Sequence, residues 1–473
     1  MKYRMALVCY PAEYFYDFGC TLEKNGFEIF WICALNADNK FLLSRGVSSR
    51  KIINIHEGFN VESDFDLCRH ELDAYESKSD IKFSDIIMMD RLLSKKDWKF
   101  SVRFISHIAE KINKFLKNNN IQMLSSWRDT APQLTAMMVA KSLSIPFVIP
   151  TRIRLPQEVY GFCTEHHTDS FIRVRDVASE DYDWAEDFLT AFESKAIAPA
   201  LKKSTRGFYD VLRLMPSHLR AFLYELRRSV YDINNDFTRY RITVLIAMYI
   251  KRRWNLLVYK LATPAMNMVD WNKNYCLYAL HTQPESSIDV QASAHSNQLE
   301  LIRDIARCLP LSCPLYVKVH PTDVDGKSVG FYNAINSIPN VYLLNYSIDS
   351  RQLIANAKII FALTGTIAYE AGLMQKNVIV FARNFFNGLP TVKYCEDLTR
   401  LSSLVNEFLI ISNSPEEERR KKIVKYLANL KACCFEGEVS RTYGASNEVL
   451  SQSDLETVVI AYKTVFKRFT FQG

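Results

Sequence analysis

Two blocks of the chain, residues 1–160 and 271–400, alternate short apolar runs with amphipathic segments of helical spacing. In the first block, Met5–Tyr10 and Phe27–Ala34 are apolar runs, and Ser101–Asn118 has apolar residues at helical intervals. Short buried strands separated by amphipathic helices are typical of parallel sheets with flanking helices. We therefore predict an α/β chain in which two Rossmann-like domains face a cleft.

The region between these blocks, residues 161–270, has a different pattern, because its apolar residues follow helical spacing. Within it, Arg206–Lys260 holds 11 Lys and Arg and four acidic residues, a balance equal to the +7 of the whole chain. We predict a helical basic insert here and a helical tail over residues 401–473. Such a patch indicates an anionic partner such as a membrane surface. The alternative is an ordinary basic face packed on the core.

Composition excludes several classes of protein. Of the 473 residues, 48% are apolar and 23% are charged, which excludes a mainly disordered chain. The 11 cysteines form no CxxC pair, so we expect reduced thiols and no zinc site. Pro11 and Glu13 interrupt the apolar N-terminus, and the longest uncharged run in the insert, Ile242–Ile250, is too short to span a bilayer. We expect a cytoplasmic protein, with a peripheral position at the inner membrane face as a further expectation.

Polar residues cluster where predicted strands end. Ligands of open α/β sheets bind beyond the carboxyl ends of the strands, so these loops are the candidate site. The four loops are Asp129-Thr130, His281 to Glu285, His320-Pro321 and Thr364-Gly365-Thr366.

The turn Thr364-Gly365-Thr366 lies between a predicted strand and a predicted helix. Free N–H groups at a helix N-terminus favour an anion, and two hydroxyl groups add donors. We interpret the turn as a phosphate site, and a plain helix cap is the alternative. The turn matches neither a Walker A loop nor a GxGxxG fingerprint.

Two histidine loops accompany this turn. Pro321 favours extended backbone at His320, whose ring is then a candidate donor to a phosphate oxygen. The alternative for His320 is a hydrogen-bonded loop histidine. The loop that holds His281, Gln283 and Glu285 offers donors and a carboxylate, which suit a sugar or a base edge. Its spacing does not fit a metal site.

Charged residues of the first block supply the remaining candidates. Asp129 follows a predicted strand and either caps the next helix or faces the cleft. Arg152 and Arg154 follow the strand PFVIP and are candidates to neutralise an anionic substrate, or are plain surface charges.

Several motifs of the second block, in this order and spacing, resemble one family. The runs are LHTQPESS (280–287), NQLELIRDIARCLP (297–310), LYVKVHPTD (315–323), IPNVYLL (338–344) and IIFALTGTIAYEAGLMQKNVIVFA (359–382). They resemble the capsule polysaccharide biosynthesis glycosyltransferases, which include the β-Kdo transferases (Kdo is 3-deoxy-manno-octulosonic acid). The resemblance is weaker over residues 1–160 and is not seen over the basic insert.

The resemblance implies a GT-B fold and a CMP-activated donor sugar held mainly by the second domain. It implies that the nucleotide and donor are bound by residues of the matched motifs, namely Gln283, Pro284, Glu285, Lys318, His320, Pro321, Thr364, Gly365, Thr366 and Glu370. His320 and Asp129 are the implied catalytic residues, with Asp129 as nucleophile or base. The chain has no DxD in the surroundings of a metal-dependent transferase, so we expect metal-independent transfer to a glycan or glycolipid.

Two other classes of function are compatible with these residues. One is a GT-B enzyme that uses a UDP- or GDP-sugar, either a transferase or an epimerase. The other is a non-catalytic protein that binds a glycan or scaffolds an assembly at the membrane. Nucleic-acid binding is not expected, since no RRM, KH or helix-turn-helix signature accompanies the basic patch.

Overall fold

The computed structural model describes residues 2–156, 158–194, 237–261, 267–410, 415–439 and 450–470. We number its elements in chain order. The strands are β1 Tyr3–Cys9, β2 Phe27–Cys33, β3 Ile52–Asn54, β4 Met123–Ser125, β5 Phe147–Arg152, β6 Val159–Cys163, β7 Cys276–Ala279, β8 Leu315–Lys318, β9 Val341–Leu344, β10 Ile359–Ala362, β11 Asn377–Val380, β12 Val392–Tyr394 and β13 Cys434–Glu436.

The α-helices are α1 Glu13–Lys24, α2 Asn36–Ser44, α3 Phe65–Glu76, α4 Phe83–Met89, α5 Trp98–Asn118, α6 Ala131–Ser142, α7 Ser179–Glu193, α8 Ile242–Leu261, α9 Ser286–Asp289, α10 Gln298–Arg307, α11 Val329–Asn336, α12 Ser350–Asn356, α13 Thr366–Leu373, α14 Leu401–Ile410, α15 Glu416–Lys431 and α16 Gln452–Thr470.

The first domain is built on a seven-stranded sheet in the order β13-β6-β5-β4-β1-β2-β3. Strands β1 to β5 are parallel, and β6 and β13 add antiparallel pairs at one edge. The strands are short and apolar because both faces are covered. Helices α3 to α6 pack against one face, and α1 and α16 pack against the other.

The second domain is built on a parallel six-stranded sheet in the order β12-β11-β10-β7-β8-β9. Helices α7, α13 and α15 contribute to the apolar cluster on one face, and α10, α11 and α14 contribute to the cluster on the other. The chain order reverses between β7 and β10, which is the point where open α/β sheets bind ligands. The loop after β7 contains the motif QPE, and the loop after β10 contains the motif TGT.

The α/β class with two mainly parallel sheets is confirmed, and the cleft between them is described below. Two details differ from the expectation. The domain boundary placed at residue 160 falls inside β6, which continues to Cys163. In the described part of the tail from residue 401, α14, α15 and α16 are helices, and Cys434–Glu436 is a strand that pairs with β6.

The final helix α16 returns the chain to the first domain. Val458, Tyr462 and Phe466 are buried in the same apolar cluster as β1 and β2. The Tyr462 hydroxyl lies 2.8 Å from the Oγ of Ser125, the last residue of β4, and both side chains are buried. The first domain therefore depends on residues from both ends of the chain.

A bridging segment, residues 237–261, joins the two domains. At its start, Phe237 packs among His56, Phe59, Phe100 and Phe104, with ring centroids 5.2–6.0 Å from its own. The Thr238 hydroxyl donates to the Ala34 carbonyl over 2.6 Å. These contacts fix the start of the segment on the first domain.

The other end of the bridging segment is fixed on the second domain. Arg252 and Arg253 pair with the carboxylate of Asp325 over 2.9 and 3.1 Å, and Tyr259 packs against Tyr332. In the described part of the predicted insert, α7 and α8 are helical. The predicted helical spacing at Leu219, Leu223, Leu226 and Val230 lies outside the described residues.

We expect Tyr462→Ala to lower the free energy of unfolding by about 3–5 kcal/mol, because it removes a fully buried aromatic side chain. Tyr462→Phe should cost about 1 kcal/mol, because Ser125 loses its partner. Urea unfolding measures both. The control Ile460→Ser, on the exposed face of the same helix, should change stability by less than about 0.5 kcal/mol. A Tyr462→Ala change as small as the control would contradict the packing of α16.

Candidate active-site cleft

A cavity of about 810 Å³ lies between the two domains. The first domain contributes the loops after β1 and β4, at the point where its strand order also reverses. The second domain contributes Pro284, Glu285 and Gly365, and the bridging segment contributes Arg239, Tyr240 and Leu245. The carboxyl ends of both sheets therefore face one enclosed space, as the rule for open α/β sheets predicts.

The turn after β10 has the geometry of an anion site. Gly365 has a φ of +103°, a conformation that side chains strongly disfavour. A Cβ atom there would lie 3.1 Å from Cε1 of His281, so the ring packs directly against this glycine. The Oγ1 of Thr364 is buried and has no hydrogen-bond partner among the described residues. Gly365 lines the cavity and is the N-cap residue of α13, whose first N–H groups have no partner within the helix.

His281 is a neutral ring with a defined proton position. Its Nε2 accepts a 3.1 Å hydrogen bond from the Leu363 N–H, so the ring proton lies on Nδ1. Burial, with smaller contributions from His320 and Arg154, lowers the pKa of His281 to about 3. The turn therefore faces a neutral N–H donor rather than a cation.

His320 lies beside this site and is also neutral. Its Nδ1 accepts from the Thr322 backbone N–H over 3.3 Å and lies 2.9 and 3.1 Å from the Thr322 and Thr282 hydroxyls. This arrangement places the ring proton on Nε2. Burial and the nearby charge of Lys318 lower the pKa of His320 to about 4. His320 does not line the cavity. Its contacts with Thr282 and Thr322 make it the hydrogen-bonded loop histidine of the alternative interpretation, and its Nε2 carries the ring proton.

Arg154 reaches from the first domain to the turn of the second. Its Nη1 lies 3.4 Å from the Thr366 hydroxyl. Burial lowers the pKa of Arg154, and the negative charge of Glu285 acts to raise it. The guanidinium nevertheless stays charged at neutral pH. A guanidinium at the N-terminus of α13 strengthens the anion site that the turn forms.

Asp129 lines the cavity and does not cap α6. The cap residue is Thr130, and the Gln133 side chain accepts hydrogen bonds from the Asp129 and Thr130 N–H groups. The Asp129 carboxylate is held by Arg91, with N–O distances of 2.8 and 3.4 Å. The structure therefore places Asp129 in the cleft and not at the cap of α6.

Arg91 also binds Asp289 of the second domain, with a 3.0 Å ion pair from Nε. Burial acts to lower the pKa of Arg91, but the two carboxylates outweigh it and the pKa is raised. The sequence analysis missed Arg91, and it also missed Asp90, which accepts from the Ala131 N–H at the start of α6. No motif marks this dipeptide in the run MMDRLL; only its three-dimensional position does.

The remaining predicted residues occupy different places. Pro284 and Glu285 line the cavity, whereas Gln283 is engaged with Asp289, Lys327 and the Ser296 carbonyl. The predicted residues that do not line the cavity are His281, Gln283, Lys318, His320, Pro321, Thr364, Thr366 and Glu370.

Two of these are buried in the second domain. Lys318 donates to the Tyr346 carbonyl over 3.2 Å, and burial lowers its pKa to about 8. Glu370 is buried within α13, behind the turn. Both therefore support the loops that carry the motifs rather than the cavity wall.

The cleft is positively charged. Five arginines line it, Arg91, Arg128, Arg152, Arg154 and Arg239, and the carboxylates in the lining are those of Asp129 and Glu285. Arg152 lines the cavity as predicted and forms an ion pair with Glu438. Arg128 is committed to the His167 carbonyl and the Thr151 hydroxyl. The lining residues alone carry an excess of three positive charges, and Asp289 and Glu438 outside the lining balance two of them. The remaining positive charge favours an anionic ligand.

Among the described residues, no group of three or more His, Cys, Asp or Glu side chains lies close enough together to hold a metal ion. No helix in the described ranges is long and apolar enough to cross a bilayer.

The comparison with family models gave one match. Residues 188–392 match the model described as capsule polysaccharide biosynthesis protein. The match runs from α7 to β12 and includes the motifs from LHTQPESS to the TGT turn. It confirms the resemblance drawn from those motifs, and the GT-B arrangement that the resemblance implied is present as two Rossmann-like domains across a cleft. Comparison with curated proteins gave no match.

The matches among solved structures include three chains at 11–14% identity. A Thermosulfurimonas dismutans KpsC β-Kdo 2,7 transferase is 13% identical, with 75% of this chain and 89% of that chain covered and a TM-score of 0.33. The UDP-GlcNAc 2-epimerase of Methanocaldococcus jannaschii is 14% identical, with coverage of 90% and 99% and a TM-score of 0.25. Acinetobacter baumannii MurG is 11% identical, with coverage of 98% and 100% and a TM-score of 0.30. All three TM-scores are below 0.5.

The buried His281 gives a pH-dependent contribution to stability. Its pKa is about 3 in the folded chain and about 6.5 when unfolded, so the unfolded chain binds more protons between these values. Stability therefore falls as the pH falls through this window. Between pH 7 and pH 5 we expect wild type to lose about 2 kcal/mol more than His281→Gln, whose amide oxygen can still accept from Leu363. Urea unfolding at the two pH values checks this, and equal losses would contradict a neutral buried His281.

Proposed function

We propose that this protein is a glycosyltransferase of capsule or surface polysaccharide synthesis. It transfers a Kdo-like sugar from a CMP-activated donor to a glycan or glycolipid acceptor, without a metal ion. The family match over residues 188–392 supports the biosynthetic class. The observation that carries the proposal is the meeting of the Thr364-Gly365-Thr366 turn with Arg154 of the opposite domain at a cleft that Asp129 also lines.

The phosphate of the donor is best accommodated at the turn. The N–H groups at the start of α13 and the buried Thr364 hydroxyl belong to this turn, the Arg154 guanidinium contacts its Thr366 hydroxyl, and the His281 ring packs against Gly365. When the bond from the anomeric carbon to the phosphate oxygen breaks, negative charge develops on the phosphate. Preorganised donors in a desolvated cleft stabilise that charge. Arginine and backbone donors supply the positive potential that a metal ion supplies in metal-dependent enzymes, which is why we expect activity in the presence of EDTA.

The acceptor hydroxyl is best activated by Asp129. Two hydrogen bonds from Arg91 orient this carboxylate, which lies on the first-domain wall of the cavity. As general base it takes the proton of the acceptor hydroxyl that attacks the anomeric carbon. As nucleophile it would itself bond to the anomeric carbon while CMP leaves, and the acceptor hydroxyl would then displace it. A positive cleft also suits both a CMP-sugar and an anionic acceptor glycan.

The nucleotide class is tested by thermal stabilisation with CMP, UDP and GDP. A ligand at 100 times its dissociation constant adds about 2.7 kcal/mol, which is visible as a melting shift. We expect a shift with CMP in wild type and little or none in Gly365→Ala, because a Cβ atom there would lie 3.1 Å from the His281 ring and the φ of +103° disfavours any side chain. Gly330→Ala is the matched control, because a Cβ there would meet only the Ser328 Oγ at 3.7 Å.

Each outcome separates the candidate functions. A shift with UDP or GDP in place of CMP would favour another GT-B transferase or an epimerase. No shift with any nucleotide would contradict the donor site and favour a non-catalytic glycan-binding protein. A CMP shift that survives in Gly365→Ala would overturn the assignment of the turn.

The role of Asp129 is tested by transfer kinetics. We expect Asp129→Asn to lower kcat for CMP release from a CMP-Kdo donor in the presence of Kdo-terminated oligosaccharide by about 10²–10⁴-fold. Its CMP melting shift should stay as in wild type, since the phosphate site is on the other domain. Asp66→Asn, an exposed carboxylate of α3, serves as control. Undiminished turnover in Asp129→Asn would assign the proton transfer to another residue.

A further inference from the structure

An apolar stripe on α8 is exposed to solvent. Its five members belong to a single helix of the bridging segment and are each at least 40% exposed. They are Ile246 (40%), Ile250 (60%), Trp254 (63%), Leu257 (47%) and Leu261 (78%). Single exposed apolar residues are ordinary, but a continuous row of five large ones marks an interaction surface.

The stripe occupies one face of the helix. The intervals between its members are four, four, three and four residues, which keeps all five within one side of an α-helix. The opposite side holds Asn255 and Tyr259, which are buried against the second domain. The anchored face thus fixes the stripe in an outward direction.

The charge of the segment is of one sign. Residues 237–261 contain six Lys and Arg and no Asp or Glu. Lys251 and Lys260 are exposed at the two flanks of the stripe by helical spacing. Arg252 and Arg253 pair with Asp325, and Lys251 and Lys260 add positive charge beside the stripe. Such a surface complements negative charge around an apolar layer.

The stripe and the cleft belong to the same segment. Arg239, Tyr240 and Leu245 line the cavity, and the stripe begins one residue later at Ile246. A surface that contacts the stripe therefore also lies close to the part of the cavity that these three residues line.

We propose that the α8 stripe is a docking surface for an anionic lipid membrane, with the helix lying in the plane of the interface. An apolar row with Trp254 on it, flanked by lysines and free of acids, has the composition of an interfacial helix. In a symmetric contact, a second copy of this chain would place the same positive charges opposite each other, whereas a surface of acidic phospholipids matches them. Docking does not depend on the proposed glycosyltransferase activity.

Vesicle flotation with the full chain tests the proposal. We expect wild type to float with vesicles of 30% phosphatidylglycerol in phosphatidylcholine, and to bind pure phosphatidylcholine at least tenfold more weakly. The triple variant Ile250→Ser, Trp254→Ser and Leu257→Ser should lose at least tenfold of the binding to the anionic vesicles. Lys251→Gln with Lys260→Gln should weaken it about tenfold or more, and added salt should weaken it further.

The matched control removes the same amount of exposed apolar surface elsewhere. Met88→Ser, Leu311→Ser and Ile460→Ser change three side chains that are 59–86% exposed in other parts of the molecule. This control should bind vesicles as wild type does. Both triple variants should keep the wild-type melting temperature and CMP shift, because exposed substitutions barely affect folding. An intact CMP shift also separates a failure of docking from a failure of the proposed function.

Three results would overturn the proposal. The first is equal vesicle binding by wild type and the stripe variant. The second is no flotation of wild type with anionic vesicles. The third is a concentration-dependent dimer in sedimentation that the stripe variant abolishes, since this would assign the stripe to a contact between two copies.

Discussion

The two-sided ion pair of Arg91 is the interaction on which the cleft depends most directly. One guanidinium binds Asp129 of its own domain and Asp289 of the other, so a single side chain both orients the candidate base and ties the sheets together. Arg91 is only about a quarter exposed, and in such a partly desolvated position loss of one partner leaves an unbalanced charge. Near this ion pair, the Ser286 hydroxyl donates to the Arg128 carbonyl and Arg154 contacts the Thr366 hydroxyl, which adds two further contacts between the domain surfaces.

Features that depend on neighbouring residues could be predicted from the sequence. The strands β1, β2, β7, β8 and β10 have the predicted positions to within one or two residues, because each is a short apolar run between turns. The loops that follow them were predicted for the same reason, since the end of a strand is a local signal. The TGT turn and the histidine beside it follow from this logic.

Features that depend on residues far apart in the chain could not be predicted. Arg91 lies 38 residues from Asp129 and 198 from Asp289, and no local pattern connects them. Strand β13 and helix α16 belong to the first domain although they follow the second in sequence. Helical spacing indicated α8. Its position between the domains depends on contacts of Phe237 with the first domain and of Asp325 with Arg252 and Arg253, and helical spacing does not predict such contacts. Gln283 belongs to a predicted motif, yet its side chain supports the loop and does not face the cavity.

The path of the chain has a consequence for dissection of the molecule. After β6 the chain enters the second domain at α7, returns to the first at Phe237, re-enters the second through α8, and ends on the first with β13 and α16. Each domain is therefore assembled from separate stretches of sequence. A fragment that ends near residue 400 would expose the apolar cluster that α16 covers. Neither half can be expressed as a continuous piece with its own complete core, and the two domains should unfold as one cooperative unit.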